Sequence, residues 1–349
     1  MNTITKHRRL SFFLLFLYAF LPAFGHSNDT ISIMEWNVEN LFDCRHDTLK
    51  NDNEFLPDGL RHWNYYRYRH KLDLIAKTIV ASTGNWTPPA LIALCEVEND
   101  SVLIALTRYS ALRELGYRYV VTDCMDQRGI DVALLYQRDR FKLLDYEYIR
   151  VSPLKDFRPT RDILHATGLI TLQDTLDIYV VHAPSRSGGE KLSRPYRIHF
   201  SKTLMTEIEK LKCKRRTPKI LILGDFNDLP GSPAINKILA ARASEGVIDD
   251  NNLYHLLARQ VKQNKEGSYK YKGEWNLLDH FIVSGSLLHT DNKIYTSESL
   301  AQIVHLPFLM TDDKTYGGKR PYRTYYGMKY ENGYSDHLPL LMQMIITAE

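Results

Sequence analysis

Four consecutive aliphatic residues, Ile220, Leu221, Ile222 and Leu223, run directly into Gly224-Asp225-Phe226-Asn227-Asp228-Leu229-Pro230, and this stretch constrains the chain more than any other. An unbroken aliphatic run closed by glycine reads as a strand buried on both faces, as found at the centre of a covered sheet. The polar cluster begins where the strand stops. Residues two apart in extended chain point the same way, so Asp225 and Asn227 converge on one spot at the strand tip. Glycine, asparagine, aspartate and proline are also the usual turn residues, so the stretch taken alone reads equally as an Asx-rich turn. Recurrence elsewhere decides between the two.

The arrangement does recur. Ile31–Asn37 alternates apolar and polar positions and ends at Asn37; Leu91–Leu94 runs into Cys95 and Glu96. A strand ending at Val181 delivers His182-Ala183-Pro184-Ser185-Arg186-Ser187-Gly188-Gly189, Leu277–Val283 carries Asp279, and the last strand, Leu338–Ile346, follows Ser335-Asp336-His337. Leu72, Ile75, Ala76, Ile79 and Val80 fall at helical spacing and predict a helix over 66–82. Further helices are expected over 101–115, 195–212, 234–241 and 253–257. Strands are expected over 117–122, 130–136, 141–151, 163–172 and 176–181, with Asp174-Thr175 as the turn of the last hairpin. Strand–helix–strand units at both ends, with hairpins between them, predict mixed sheets covered by helices. No short repeat or low-complexity linker divides the chain, so residues 26–349 read as one catalytic domain.

Residues 1–25 read differently. Lys6, Arg8 and Arg9 precede an apolar run from Leu10 to Phe24, and Ala23-Phe24-Gly25 supplies small residues where a signal peptidase cuts. The run is shorter than the ~20 apolar residues that span a bilayer, so a cleaved signal peptide is expected rather than a stable membrane anchor. The mature chain is then exported, periplasmic or extracellular. Its 45 basic and 41 acidic residues balance to +4, which excludes a nucleic-acid binder defined by bulk charge. Cys44, Cys95, Cys124 and Cys213 show no zinc-ligand spacing, and Cys95 sits in an apolar run as a small buried hydrophobe. No protein partner is indicated.

The strand-end residues are Asn37, Glu96, His182, Asp225, Asn227, Asp279, Asp336 and His337. Amides and carboxylates are the oxygen donors that a hydrated Mg²⁺ prefers, and histidine moves protons or stabilises charge near neutrality. A lone Asp-His pair is ordinarily a solvated strand edge, and Glu96 alone reads as a helix cap. Five separate strands ending in such residues are not explained that way.

Trp36-Asn37-Val38-Glu39-Asn40, Cys95-Glu96-Val97, His182-Ala183-Pro184-Ser185, Gly224-Asp225-Phe226-Asn227-Asp228, Leu278-Asp279-His280 and Ser335-Asp336-His337 resemble, in content and order, the motifs of the endonuclease/exonuclease/phosphatase superfamily, the DNase I-like fold. The resemblance spans nearly the whole mature chain. It implies a four-layered α/β sandwich, two mixed β-sheets packed face to face with helices outside, and a Mg²⁺-dependent phosphoester hydrolase, with Mn²⁺ or Ca²⁺ as alternative ions. Glu96 is then the principal metal ligand, with Asn37 and Asp336 beside it. Asp225 and Asn227 position water and a phosphate oxygen, and His337, oriented by Asp279, is the base or the charge stabiliser. His182 matches the histidine of the DNase I and sphingomyelinase branches, which acts near the leaving group. Asp126 and Asp131 are the candidates for the acid that orients it.

For substrate, Arg61–Arg69, Tyr269-Lys270-Tyr271-Lys272 and Lys319–Tyr326 interleave cations with aromatics, which suits a polyanion with stackable bases, although alternate tyrosines also simply pack in sheets. Arg186, near Gly188 and Gly189, is the better phosphate contact, because glycines let backbone N–H groups approach an anion. The leading expectation is a nuclease. The alternatives are a phosphatase or phospholipid phosphodiesterase of the same fold and, from another class, a non-catalytic polyanion-binding module.

Overall fold

The computed structural model describes residues 29–84, 87–155, 158–170 and 174–347, so the signal-peptide reading lies outside the described residues. The chain opens with β1 (Asp29–Leu41) and α1 (Tyr65–Ala81), whose first turn is capped by the Asn64 side chain accepting from the Arg67 N–H. There follow β2 (Leu91–Val97), α2 (Asp100–Tyr109), β3 (Arg118–Val121) and β4 (Asp131–Tyr136). The single helix expected over 101–115 is broken at Ser110, which adopts extended backbone and accepts from Leu112 N to start a separate 3-10 turn over Ala111–Leu115. Serine competes with helix in this way because its hydroxyl bonds the local backbone.

Next come β5 (Phe141–Ile149), β6 (Ile163–Ile170), β7 (Asp174–His182), α3 (Glu190–Lys214) and β8 (Lys219–Asp225). Asp174 and Thr175 do not form a turn. They are the first residues of β7, where Asp174 pairs with Ile170. The helix expected from residue 195 begins earlier, at Glu190, and carries Pro195 inside it. Lys191, whose carbonyl loses its usual donor four residues on to Pro195, is exposed.

The remaining elements are β9 (Leu253–His255), α4 (Ala258–Asn264), β10 (Tyr269–Tyr271), β11 (Glu274–Asn276), β12 (Asp279–Ser284), β13 (Ile294–Tyr295) and β14 (Ala301–Ile303). Two short hairpins, β15 (Met310–Asp312) with β16 (Lys319–Pro321) and β17 (Tyr325–Tyr326) with β18 (Lys329–Tyr330), precede β19 (Leu340–Ile346). The stretch 253–257 is thus not helical. Its first three residues add an edge strand to β12, with Ile282 opposite His255, and sheet pairing overrides the weak local preference. The His255 ring then accepts from the Leu257 and Ala258 N–H groups where α4 starts. Residues 233–238 form a π-helical turn in place of the regular helix expected there.

Two mixed sheets result. One runs β13-β19-β1-β2-β4-β3 with β14 beside β19; the other runs β5-β6-β7-β8-β12-β9. β1 and β2 are parallel, as are β7 and β8, and the other pairs within these sheets are antiparallel. The period of two along β7 and β8 separates two layers of core. Ile178, Val180, Leu221 and Leu223 join the residues of the first sheet in the core between the sheets. Tyr179, Val181, Ile220 and Ile222 instead lie under Phe200, Leu204, Ile208 and Leu211 of α3. α1 and α2 cover the first sheet through Leu72, Ile75, Ile79, Val102, Leu103 and Leu106. Helix, sheet, sheet and helix make four layers. β1, read as alternating, is buried on both faces from Ile33 to Glu39, as a central strand of such a sandwich must be.

Gly224 shows how tightly the site-bearing strands are joined. At φ 140° it lies opposite Val181, and a Cβ there would fall 1.9 Å from the Val181 carbonyl oxygen, so only glycine fits. The next pair in register is His182 with Asp225. All four cysteines are unpaired, with Cys95 fully buried. No helix among the described residues is long and apolar enough to cross a membrane.

Candidate active site

Where the central strands end, the backbone leaves strand conformation at the residues that carry polar chemistry. The parallel register of β1 and β2 holds to Asn37 opposite Cys95 and resumes only at Leu41 opposite Val97. On the other side of β2, Cys95 pairs with Val132 and Val97 with Asp131, leaving Glu96 as the extra residue of a bulge. Glu96 sits at φ 65°, and Glu39, Asn40 and Asn227 at 52°, 55° and 50°. Asparagine tolerates this region, but a glutamate there stores on the order of 1 kcal/mol. The Asn40 N–H donates to Glu96 Oε2 at 2.9 Å and helps hold the strained residue.

Asp225 is the hub. Its Oδ2 accepts from Asn37 Nδ2 at 3.1 Å and from Asn227 Nδ2 at 3.2 Å, and its Oδ1 accepts from the Asn227 N–H at 2.7 Å. The Nε2 atoms of His182 and His337 stand 3.7 Å and 4.0 Å from Oδ2. Burial, reinforced by the charge of Asp279, lifts the Asp225 carboxyl to about 7, against the opposing pull of His337 and the amide donors.

The two histidines are held differently. His337 Nδ1 lies 2.7 Å from Asp279 Oδ2, which also accepts from Ser268 Oγ. Burial alone would lower the His337 pKa, but the charge and hydrogen bond of Asp279, with Asp225 and Asp336 nearby, raise it well above the usual histidine range. The Tyr269 ring lies over the imidazole with centroids 4.8 Å apart. His182 is driven the other way, by burial and then by the charges of Arg161 and Arg128, to a pKa well below the ordinary value. Its Nδ1 is buried and has no hydrogen-bond partner among the described residues. The sequence offered Asp126 and Asp131 as the acid that orients it, and neither does so. Asp126 Oδ2 faces Arg161 at 3.3 Å, and Asp131 accepts from Thr122 Oγ1 and the Cys124 N–H.

These groups open onto a cleft of about 960 Å³ lined by Glu96, His182, Arg186, Asp225, Asp336 and His337 among others. Asn37 and Asp279 stand behind that lining, through Asp225 and His337. Glu96 Oε1 is 3.9 Å from His182 Nε2, and Asp336 Oδ2 is 3.7 Å from Arg323 Nη2. Arg186 donates from Nε to the Asn227 carbonyl at 2.9 Å. Both Asn227 amide hydrogens are directed within the protein, to Asp225 and to the Ala183 carbonyl, so contact with a phosphate oxygen requires exchanging one of them.

The site has residues that sequence reasoning missed. Arg197, fully buried, places Nε 3.0 Å from Asp228 Oδ2, while Arg186 Nη2 is 3.8 Å from Asp228 Oδ1. The last residue of the Gly224–Asp228 motif thus anchors the arginine that faces the cleft. The available signal was a cation on the apolar stripe of α3, in line with Ser193, Phe200, Ser201 and Leu204. Ser335 donates from Oγ to the Asn37 carbonyl at 2.6 Å, and the Trp36 indole donates to the His337 carbonyl at 2.9 Å. Glu39 accepts from the Thr324 and Tyr325 N–H groups and tethers the loop that carries Arg323.

Of the three cation–aromatic stretches, Tyr269–Lys272 contributes Tyr269, Tyr271 and Lys272 to the cleft of about 960 Å³. Arg61 and Arg67 instead stack on Tyr325 and Tyr330 within the protein, at 4.8 Å and 4.3 Å. Arg320 is paired with Glu331 at 2.7 Å. Arg61, Arg323 and Tyr325 line a smaller cleft of about 210 Å³ that reaches Asp336.

The donor set suits a hard divalent cation. Asp225, Asp279 and His337 offer atoms within 4.8 Å of one another, yet the imidazole Nδ1 is already joined to Asp279. Glu96 and Asp336 on the cleft wall are oxygen donors, and the Asn37 Oδ1, which accepts from the Glu39 N–H at 3.0 Å, keeps a second lone pair. Burial lifts the Glu39 carboxyl to about 7, and the charge of Asp336 adds a smaller repulsion that a cation at Asp336 would offset.

The sequence profile described as Endonuclease/Exonuclease/phosphatase family matches residues 32–345. The chain belongs to that family. Members of this family are metal-dependent phosphoester hydrolases. Its fold is shared by the human Nocturnin catalytic domain with bound sulfate, at TM-score 0.53 and 17% identity over 92% of this chain and 98% of that one. The D. rerio TDP2 complexed with single strand DNA product gives 0.55 and 14% over 90% and 98%. An endonuclease/exonuclease/phosphatase family protein from Bacteroides thetaiotaomicron gives 0.55 and 14% over 92% and 100%. No curated protein matches this family member in sequence.

Proposed function

We propose that this chain is an exported Mg²⁺-dependent phosphodiester hydrolase acting on nucleic acid, with water attacking phosphorus in line with the leaving oxygen. The observation that carries the reading is the convergence of groups from both sheets on one site, five of them on the cleft wall and Asn37 and Asp279 behind it. Asn37 and Glu96 come from the first sheet, His182, Asp225 and Asp279 from the second, and Asp336 and His337 from the approach to β19. The TDP2 structure with a DNA product, and the presence of Tyr271 and Lys272 on the cleft wall, support nucleic acid as the substrate.

Glu96 and Asp336, with Asn37, are the residues that hold the metal. When bound, Mg²⁺ supplies a Lewis acid for a phosphoryl oxygen. Asp225, fixed by the Asn37 and Asn227 amides, orients the attacking water. His337, held at Nδ1 by Asp279, presents Nε2 to the phosphate oxygens as charge builds there. His182 faces the leaving oxygen, and Arg186 contacts a phosphate.

The test is hydrolysis of DNA, RNA, sphingomyelin and inositol phosphates by purified protein with Mg²⁺ and with a chelator. DNA or RNA cleavage abolished by chelation is expected. Hydrolysis that ignores the chelator, or none of any substrate, overturns the reading, and cleavage confined to a lipid or inositol phosphate corrects the substrate. Export is checked by N-terminal sequencing of protein recovered outside the cytoplasm, which is expected to begin near residue 26. An intact first segment there overturns it.

A further inference from the structure

A second cleft of about 390 Å³ adjoins the catalytic one, and Arg128, Ser185 and Ser187 line both. Its own wall adds Asp126, Arg158, Thr160 and Arg161. Three guanidinium groups and one carboxylate therefore line it, and the carboxylate is already committed. Asp126 Oδ2 is 3.3 Å from Arg161 Nη1, and its Oδ1 accepts from the Arg128 N–H at 2.9 Å. Arg161 and Thr160 are only 4% and 7% exposed, yet Arg161 Nε and Thr160 Oγ1 have no hydrogen-bond partner among the described residues. Two buried donors without acceptors, in a wall that carries excess positive charge, are what an anion satisfies.

The position follows from the chain itself. Arg161 donates from Nη2 to the Ala183 carbonyl at 2.7 Å, and Ser185 lies three residues beyond His182. At ~3.3 Å per residue the second cleft begins within ~10 Å of the catalytic histidine, within reach of a neighbouring phosphate on one substrate molecule. We infer that this cleft is an anion subsite that takes a second phosphate group of the substrate, on the His182 side of the scissile bond. The inference rests on the phosphoester reading of the catalytic cleft. It narrows the substrate to molecules with at least two phosphates, whether successive phosphates of a nucleotide strand or those of a polyol bisphosphate.

Calorimetric binding to the full chain in chelator tests it, comparing thymidine 3′,5′-bisphosphate and inositol 1,4-bisphosphate with thymidine 5′-monophosphate and thymidine 3′-monophosphate. The wild type is expected to bind a bisphosphate about tenfold more tightly than either monophosphate, since one charge-assisted contact set is added. Which bisphosphate shows the preference identifies the source of the second phosphate. Arg158→Ala and Thr160→Val, each checked for folding by circular dichroism, are expected to reduce that preference. No preference in the wild type, or an undiminished one in both folded variants, overturns the subsite. Hydrolysis with Mg²⁺ is measured in parallel. A chain that shows the Arg158-dependent preference but hydrolyses nothing keeps the subsite and loses the proposed function, whereas a chain that hydrolyses phosphodiesters without the preference loses the subsite alone.

Discussion

Asp279 Oδ2 and His337 Nδ1 lie 2.7 Å apart although 58 residues separate them in sequence. Asp279 opens β12 in one sheet and His337 stands just ahead of β19 in the other, so this hydrogen bond links the sheets behind the cleft wall. If the pair acts as a unit, its members lose their effects together. Asp279→Asn and His337→Ala are each expected to lower kcat/KM by ~10² to 10⁴ on a phosphodiester reporter, and the double variant no further than the worse single one. Losses that multiply would show that the two residues act independently.

The backbone at Glu96 makes a prediction about stability rather than rate. Glu96→Ala and Glu96→Gly remove the same carboxylate, but only glycine adopts φ 65° without strain. The glycine variant is expected to be more stable than the alanine variant by about 1 kcal/mol in urea unfolding, with both inactive. Equal stabilities would mean that the bulge relaxes once the glutamate is gone.

Lys71 and Glu39 are both buried against the same loop. Lys71, 2% exposed, donates to Thr324 Oγ1 and the Tyr334 carbonyl, and burial lowers its pKa to about 8 despite the pull of Glu39 and Asp336. Lys71→Met is expected to destabilise the protein by ~1 to 3 kcal/mol, because it leaves the buried Thr324 and Tyr334 acceptors without their donor and removes a cation near Glu39. Adding Glu39→Gln is expected to recover part of that loss. Strict additivity in a denaturant double-mutant cycle would rule out the coupling.

Buried His280 contributes a pH dependence of defined sign. Burial lowers its pKa to about 4, against the Asp228 carbonyl and the charges of Asp279 and Asp228, with Arg186 adding to the depression and His255 packed against it. The unfolded ring takes up a proton near pH 6.5, which the folded ring refuses until about pH 4. Its contribution is therefore present above pH 6.5 and is lost as pH falls, by roughly 3 kcal/mol in full. Burial lifts Glu98 to about 8 and Asp131 to about 6, and both act with the opposite sign. The readout is thus the difference in unfolding free energy between wild type and His280→Gln, which is expected to narrow between pH 7 and 4. A constant difference would contradict the assignment.

Much of the fold was legible because its central strands are fully buried and so appear as aliphatic runs ending in polar residues. Ile220–Leu223 and Leu91–Leu94 are of this kind, and both occupy sheet interiors. Leu253–His255 was misread because a three-residue edge strand has no period of its own and is defined by pairing with β12. Within the site, Asn37, His182 and Asp225 could be foreseen, since they sit on strands; Asn227 and Glu96 reach the site from left-handed backbone, at φ 50° and 65°, which the extended-chain argument does not cover. Arg197, Glu39 and Ser335 could not be foreseen, because what they hold is the loop or side chain of a distant segment. That no acid among the described residues bonds His182 Nδ1 was also hidden, because salt bridging and local turn bonds claim Asp126 and Asp131.

A site divided between two sheets also has a kinetic meaning. Asn37 and Glu96 reach Asp225 and His182 only across the seam between the layers, so a chain with either sheet formed alone presents neither a complete donor set nor a cleft. Hydrolytic competence then arises in the step that docks the layers. Regain of activity during refolding is a direct clock for that step, while circular dichroism, which registers each sheet as it forms, can run ahead of it.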